Sequence, residues 1–183
     1  FMLYYEAATK RVHGLNGSGR SPKALTLDKA RQEARKEGVS DNCDEMDPTH
    51  IHCVTVPGTA AGWVDSLERF GSGGKFTLAE VLAPAIRLAE EGFPVSPVTA
   101  HWWSENETQL NRPGNNQSEL LSASGRAPVA GEVFKNPTLA ASMRELGEGG
   151  KKAFYEGRIG QAIVDMVQAQ GGVMTMEDLK EHE

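Results

Sequence analysis

The sequence predicts an α+β fold in which a strand hairpin over residues 1–25 precedes a mainly helical region over residues 26–183. The first observation is the aromatic and apolar run at residues 1–5, which is typical of a strand and is followed by a polar turn at Thr9 and Lys10. The second is the recurrence of apolar residues every three or four positions, which indicates helices. Glycines close several of these stretches, as helix ends often require. A length of 183 residues with 39% hydrophobic content predicts one domain.

Two helices are predicted in the first half of the chain. Thr26 is a suitable N-cap for a helix that ends at Gly38. Its apolar stripe is narrow, so we expect it to lie on the surface. A stronger helix is predicted over residues 58–71, with a glycine at its end. The apolar face of this second helix consists of Ala60, Val64, Leu67 and Phe70.

A third helix is predicted to start at a T-x-x-E capping box made by Thr77 and Glu80. It should stop at Gly92, and Pro84 should kink it because proline removes a helical hydrogen bond. The stretch at residues 103–132 is rich in Asn, Ser, Gly and Pro and shows no clear period. It therefore predicts a long irregular connection.

Three more helices are predicted towards the end of the sequence. Asn136 should cap a helix over residues 137–147, whose first residue is a proline. The next helix carries an apolar face and should end at Gly171. Thr175 and Asp178 should start a short last helix.

Charge and composition exclude some classes of partner. The formal net charge is −6 and the basic residues are scattered, which argues against nucleic acids and anionic membranes, since both require a basic face. No apolar run approaches the roughly 20 residues that a membrane helix needs. The GSGGK stretch at residues 71–75 is not a phosphate loop, because Phe76 stands where Ser or Thr must follow the lysine.

One cluster contains residue types that zinc accepts, namely Cys43, His50, His52 and Cys53. If residues 50–56 form a strand, the adjacent His52 and Cys53 point to opposite faces and cannot both reach one ion. We therefore predict neither a metal nor any other cofactor. A disulfide between the two cysteines and a pair of reduced cysteines both remain open.

The segment of greatest chemical interest is residues 16–22, with the sequence NGSGRSP. Here glycines and a proline hold Arg20 just after the hairpin, and a guanidinium is a planar, permanently charged fork that suits a carboxylate. Arg20 is therefore a candidate substrate-binding residue. The alternative is a structural ion pair between Arg20 and a local acid such as Asp28 or Glu6.

Several motifs give the chain a resemblance to the gamma-glutamyltransferase (gamma-glutamyltranspeptidase) family. They are VPGTAAGW at 56–63, RFG at 69–71, TLAE at 77–80, APAIRLAEEGFPV at 83–95, EVFKN at 132–136, FYEG at 154–157 and GGVMTMEDL at 171–179. These motifs occur in the order and at the spacing of the family's large subunit. The resemblance implies the α/β/β/α sandwich of an N-terminal-nucleophile hydrolase, of which this segment is a strand hairpin and a mainly helical flank.

The same resemblance implies a mechanism. A precursor cleaves itself at a threonine, whose freed amine then activates the threonine hydroxyl for attack on an amide. The expected substrates are small gamma-glutamyl or related amides, as in glutathione metabolism. In the family the nucleophile lies in the small subunit, so we expect no catalytic residue in this chain and no activity from it alone. We also expect the chain to be an incomplete fragment of the large subunit, taken from the middle of a longer precursor.

The resemblance also implies a role for the segment around Arg20. The family has an arginine four residues before the proline that corresponds to Pro22, and this arginine holds the α-carboxylate of the glutamyl group. That position is Ser18 here, and the charge lies two residues later. The GSGRSP stretch resembles the G-S-G-R-A-P variant of transferase-like members. Ser18 and Arg20 are thus the two candidate substrate-binding positions. A non-catalytic helical interaction protein derived from the same superfamily is the alternative function.

Overall fold

The chain opens with an antiparallel hairpin of β1 (Met2–Glu6) and β2 (Arg11–Leu15). The computed structural model describes residues 1–36, 46–112, 119–122 and 124–182. One face of the hairpin packs on an aromatic residue of a helix, since the ring of Tyr4 stacks on that of Phe70 with centroids 5.0 Å apart. The predicted α+β class, a strand hairpin followed by a mostly helical remainder, is confirmed.

The described residues fall into two compact units, Phe1–Leu78 with Glu148–Glu183, and Ala79–Gly147. The expectation of a single domain stays a prediction. The helices, in chain order, are α1 (Leu27–Lys36), α2 (Thr59–Phe70), α3 (Leu78–Glu91), α4 (Pro97–Glu105), α5 (Glu107–Leu110), α6 (Pro137–Glu156), α7 (Arg158–Ala169) and α8 (Met176–Lys180). In the second unit, β3 (Phe93–Pro94) pairs antiparallel with β4 (Val133–Phe134). Within the described residues, none of the helices has the length and apolar character needed to span a membrane.

The first unit buries Ala60 and Val64 of the predicted α2 face, whereas Leu67 and Phe70 of that face are half-buried. Its buried apolar residues are Val56, Ala60, Ala61, Val64, Tyr155, Ile159, Val164, Val167, Met174 and Leu179. The second unit has its own core, made of Leu82, Ile86, Ala89, Val95, Leu121, Ala127, Ala140 and Leu146. Burial of these side chains away from water is the main favourable contribution to each core.

The predicted N-terminal caps of two helices and the exposure of a third helix are confirmed. The Asn136 side-chain oxygen accepts a hydrogen bond from the Leu139 N–H at 2.8 Å, which caps α6. Thr175 and Asp178 form a reciprocal capping box at the start of α8. α1 has no buried residue, as its narrow stripe predicts. α3 begins directly after Thr77 and contains Pro84, while the capping box and the kink proposed there stay predictions.

The structure differs from the sequence-based expectations at three places. Residues 51–53 form a 3₁₀ turn where a strand over 50–56 was considered, and the His50 ring nitrogen accepts the His52 N–H at 3.0 Å. The helix predicted over 137–147 is present and runs on to a kink at Gly150, whose φ of 60° suits glycine, and a further helical segment then ends at Glu156. The supposedly irregular stretch contains α5 and the end of α4, which begins with a Ser96 cap that the sequence reading missed.

Candidate functional site

The candidate site is the loop of residues 16–23, here called the Arg20 loop, which leaves the hairpin after Leu15. The side-chain oxygen of Asn16 accepts a hydrogen bond from the Ser18 N–H at 3.0 Å, so the loop begins with a tight side-chain-to-backbone turn. Pro22, near its other end, is buried. Ser18 and Arg20 themselves are exposed. The side chains of Ser18 and Arg20 are therefore accessible to solvent, and the turn at Asn16 fixes the beginning of the loop that carries them.

Glycines let the Arg20 loop lie directly against the backbone that leads into α2. A Cβ added to Gly19 would lie 1.9 Å from the Val56 carbonyl oxygen, and one added to Gly58 would lie 2.2 Å from the Gly17 carbonyl oxygen. Neither distance leaves room for a side chain. The Val56 N–H donates to the Arg20 carbonyl oxygen at 2.9 Å, which fixes the loop at the residue of interest.

The side chain of Arg20 turns towards the end of α8. Its Nη2 atom donates to the main-chain carbonyl oxygen of Glu181 at 2.5 Å. Glu181 is the C-cap of α8, where helical carbonyl groups lack partners within the helix. Neither acid named as an alternative partner, Asp28 or Glu6, forms this contact. The guanidinium thus donates to a neutral carbonyl group, and its positive charge also helps the Lys23 ammonium to lower the pKa of the Glu181 carboxylate.

A second set of contacts ties the same loop to α8. The Lys23 N–H donates to Asp178 Oδ1 at 2.8 Å, and the Lys23 ammonium pairs with the Glu181 carboxylate. Burial raises the pKa of Asp178, but hydrogen bonds from Lys23 and from the Thr175 N–H and hydroxyl outweigh burial and lower it below its ordinary value. Asp178 is therefore ionised at neutral pH, and its hydrogen bonds are charge-assisted.

A cavity of about 180 Å³ lies beside the Arg20 loop. Its lining consists of Gly14, Leu15, Asn16, Gly17, Gly58, Ala61, Gly62, Asp65, Arg69 and His182. Much of this lining is glycine backbone from the loop and from one face of α2, with three ionisable side chains among it. The cavity is thus small, polar and directly continuous with the start of the loop.

Two buried residues with polar groups, Tyr155 and Asp65, form contacts that hold α2 beside this cavity. The Tyr155 hydroxyl donates to the Pro57 carbonyl oxygen at 2.6 Å and accepts the Ala61 N–H at 3.0 Å, so it caps the start of α2. Lys151 pairs with the buried Asp65 at 2.5 Å between Nζ and Oδ1. These contacts hold α2 to the segment that follows Gly150.

His182, which also lines the cavity, has a buried ring nitrogen, Nδ1, without a hydrogen-bond partner among the described residues. It is 7% exposed, and its ring lies 5.6 Å from that of Tyr155. Burial lowers the pKa of His182, the positive charges of Arg20 and Lys151 lower it further, and Asp65 opposes them. The ring is therefore neutral at neutral pH.

This arrangement predicts a pH dependence of stability. The folded protein resists protonation of His182, whereas the unfolded chain accepts the proton near the ordinary pKa of about 6.5. The stabilisation is complete above that value and is lost as the pH falls towards the lowered pKa of the folded state. Between pH 7.5 and pH 5, His182→Gln should therefore lose less melting temperature than the unsubstituted protein. His101→Gln, at an exposed site, is the control, and equal slopes for all three proteins would refute the expectation.

Three of the four residues considered as zinc ligands, His50, His52 and Cys53, lie in the described part of the chain. No group of three or more His, Cys, Asp or Glu side chains there is arranged to hold a metal. His52 is buried, whereas Cys53 is exposed and its thiol lies 3.4 Å from the Asp47 carbonyl oxygen. Cys43 lies outside the described residues, so the disulfide and the reduced pair both stay open.

The sequence reading missed Lys23, Glu181 and His182 as members of this region. The T-x-x-D pattern identified Asp178 as a helix cap, but it gave no sign that the other oxygen of Asp178 binds the backbone of Lys23, 155 residues away. A hydrogen bond to a backbone N–H leaves no pattern in side-chain types. These contacts emerge only from the three-dimensional structure.

Comparison with known proteins identifies the family to which the chain is similar. The sequence model of the family described as Gamma-glutamyltranspeptidase matches residues 1–183. The glutathione hydrolase-like YwrD proenzyme of Bacillus subtilis (strain 168) is 35% identical over 184 residues, which cover 100% of this chain and 32% of that protein. The chain thus spans about a third of the length of this curated relative.

Two solved structures resemble the fold. The cephalosporin acylase from Bacillus halodurans superposes with a TM-score of 0.80 at 32% identity, covering 94% of this chain and 31% of that one. The gamma-glutamyltranspeptidase of Helicobacter pylori gives a TM-score of 0.82 at 23% identity, covering 100% of this chain and 50% of that one, which supports the fold alone. The match of the family model over the whole chain, together with these likenesses, establishes that the chain belongs to the gamma-glutamyltranspeptidase family.

Proposed function

We propose that the protein containing this chain hydrolyses gamma-glutamyl or related amides, or transfers their acyl group, and that this chain supplies Arg20 as the group that binds the substrate's carboxylate. The observation that carries the proposal is the anchoring of Arg20, whose carbonyl group accepts the Val56 N–H and whose guanidinium donates to the Glu181 carbonyl group. The match of the family model over residues 1–183 supports the reaction class. Ser18, on the same loop, is the second candidate for contact with the substrate.

The chemistry of Arg20 suits this role. Its guanidinium donates to the Glu181 carbonyl group, which orients the side chain, and a guanidinium has further N–H donors for a carboxylate. A gamma-glutamyl amide, such as glutathione, carries a free carboxylate on the acyl side of its scissile bond. Charge-assisted hydrogen bonds from arginine to a carboxylate are stronger than neutral ones and fix the orientation of the bound group.

The proposed reaction uses a threonine freed by autoprocessing, carried by a small subunit outside this chain. Its hydroxyl attacks the amide carbon while its own α-amine takes the proton, and the amine of the substrate leaves. Water then hydrolyses the acyl-enzyme ester, or an acceptor amine takes the acyl group. Arg20 binds the acyl part in both half-reactions, which is why it should act on KM rather than on the chemical step.

Three chromogenic substrates test the proposal on the full-length protein. γ-Glutamyl 4-nitroanilide has both the α-amine and the carboxylate, glutaryl 4-nitroanilide keeps only the carboxylate, and 4-aminobutyryl 4-nitroanilide keeps only the amine. The first two should release 4-nitroaniline. For the third, kcat/KM should be lower by roughly 10- to 100-fold than for the first, because a charge-assisted pair is lost.

Two results would count against the proposal. Equal kcat/KM values for all three anilides would refute recognition of the carboxylate. Absence of 4-nitroaniline release from every substrate, by protein that is folded and processed, would refute the amide hydrolase and favour the alternative, a non-catalytic interaction protein.

A further inference from the structure

The contacts between the Arg20 loop and α8 form one connected set. They join residues more than 150 positions apart, and each involves a different kind of group: a backbone N–H at Lys23, an ammonium on the same residue and a guanidinium at Arg20. All of them end on Asp178, in the first turn of α8, or on Glu181, its C-cap. The position of this short helix therefore determines where the loop and its arginine lie.

α8 itself is held firmly. Leu179 and the preceding Met174 are completely buried, at 0% exposure each. The Gln168 side-chain amide, on α7, donates to the Met174 carbonyl oxygen at 2.8 Å. This hydrogen bond links α7 to the residues that lead into α8. A helix fixed in this way can act as a rigid support for a loop, as a binding group requires.

Asp178 links that support to the loop with a single carboxylate. Its Oδ2 accepts the Thr175 N–H at 2.8 Å and the Thr175 hydroxyl at 2.9 Å, which closes the first turn of α8. Its Oδ1 accepts the Lys23 N–H at 2.8 Å. One oxygen therefore serves the helix and the other serves the loop. The capping role is local, whereas the contact with Lys23 sets the distance between α8 and the residue that follows Pro22.

We infer that Asp178 is a positioning residue for Arg20, and that it holds the loop at the distance from which the guanidinium reaches both the Glu181 carbonyl group and a substrate carboxylate. This inference rests on the proposed function of Arg20. It assigns Asp178 a task beyond capping, and it makes the T-x-x-D turn at the end of the chain part of substrate recognition.

Matched substitutions in the full-length protein separate the two tasks of Asp178. Asp178→Asn removes the negative charge from both contacts and leaves one acceptor oxygen to share between Lys23 and Thr175, whereas Thr175→Ala removes only the hydroxyl and leaves both carboxylate oxygens in place. Asp178→Asn should raise KM for γ-glutamyl 4-nitroanilide by about tenfold with kcat nearly unchanged, as expected for one lost charged hydrogen bond. Thr175→Ala should lower the melting temperature and leave KM within about twofold of wild type.

A double-variant comparison supplies the decisive control. In an Arg20→Ala background, Asp178→Asn should change KM no further, because the residue that it positions is absent. An equal rise in KM in both backgrounds, or a rise of the same size in Thr175→Ala, would overturn the inference and leave Asp178 with a purely structural role. Asp178→Glu, which keeps the charge but moves the carboxylate, replaces Asp178→Asn if the amide variant does not fold.

Hydrogen exchange distinguishes failure of this inference from failure of the proposed function. If the unsubstituted protein hydrolyses no anilide, the proposed function fails, and the amide of Lys23 then decides. Faster exchange of the Lys23 amide in Asp178→Asn, but not in Thr175→Ala, would support the positioning of the loop by Asp178. Unchanged exchange at Lys23 would overturn it.

Discussion

Replacing Arg20 by alanine is expected to raise KM for γ-glutamyl 4-nitroanilide by roughly 10- to 100-fold in the full-length protein, with kcat close to the wild-type value. The expected change follows from the loss of charge-assisted hydrogen bonds to the substrate's carboxylate. Arg20→Lys should restore only part of the affinity, because an ammonium group cannot reproduce the two parallel hydrogen bonds of a guanidinium. Steady-state kinetics on both variants measure these changes.

The same variants test the structural alternative. If the contact with the Glu181 carbonyl group is the whole role of Arg20, Arg20→Ala should lower the melting temperature and leave KM unchanged. Arg11→Ala is a suitable control, because Arg11 is exposed on β2 and lies opposite Glu6 in the hairpin. A rise in KM for Arg11→Ala equal to that for Arg20→Ala would show that the effect is one of net charge only.

Gly19→Ala is expected to displace the Arg20 loop and to destabilise the first unit. Its new Cβ would lie 1.9 Å from the Val56 carbonyl oxygen and 2.5 Å from the Thr55 hydroxyl oxygen, so the backbone must move apart. Overpacking of this kind costs about 1–3 kcal/mol and sometimes more. The shift should also weaken the hydrogen bond from the Val56 N–H to Arg20 and raise KM.

Gly14→Ala provides the matched control for that substitution. A Cβ at Gly14 meets only a Leu3 methyl group at 3.7 Å, an ordinary van der Waals distance. The melting temperature should therefore change little. If the two alanine variants were equally stable, the close approach of the loop to residues 55–58 would not be a constraint on the fold.

The parts of the fold that the sequence predicted are those with strong local signals. α2 shows a regular apolar face and a glycine at its end, and α8 begins with a T-x-x-D pattern, so both were located closely. The strand considered at residues 50–56 does not form at residues 51–53, where the His50 side chain accepts a backbone N–H and favours a tight turn. Such competition between side chain and backbone is invisible to hydrophobic periodicity.

The candidate site was predictable only in part, for a similar reason. Arg20 was proposed because glycines and a proline surround it, and Ser18 was proposed through a resemblance, and both roles stay predictions. The actual support of Arg20 comes from Glu181 and Asp178, which are distant in sequence and act through a carbonyl oxygen and through a hydrogen bond to a backbone N–H. The helical segment between Gly150 and Glu156 was not predicted, because glycines usually end a helix.

The central claim is that Arg20 recognises a carboxylate on the acyl group of an amide substrate. The most direct test compares kcat/KM for γ-glutamyl and 4-aminobutyryl 4-nitroanilides in wild-type and Arg20→Ala protein. We expect kcat/KM of the variant to fall about tenfold or more for the first substrate and almost not at all for the second, since the latter has no carboxylate for the guanidinium to bind. An equal loss on both substrates, or no loss on either, would contradict it.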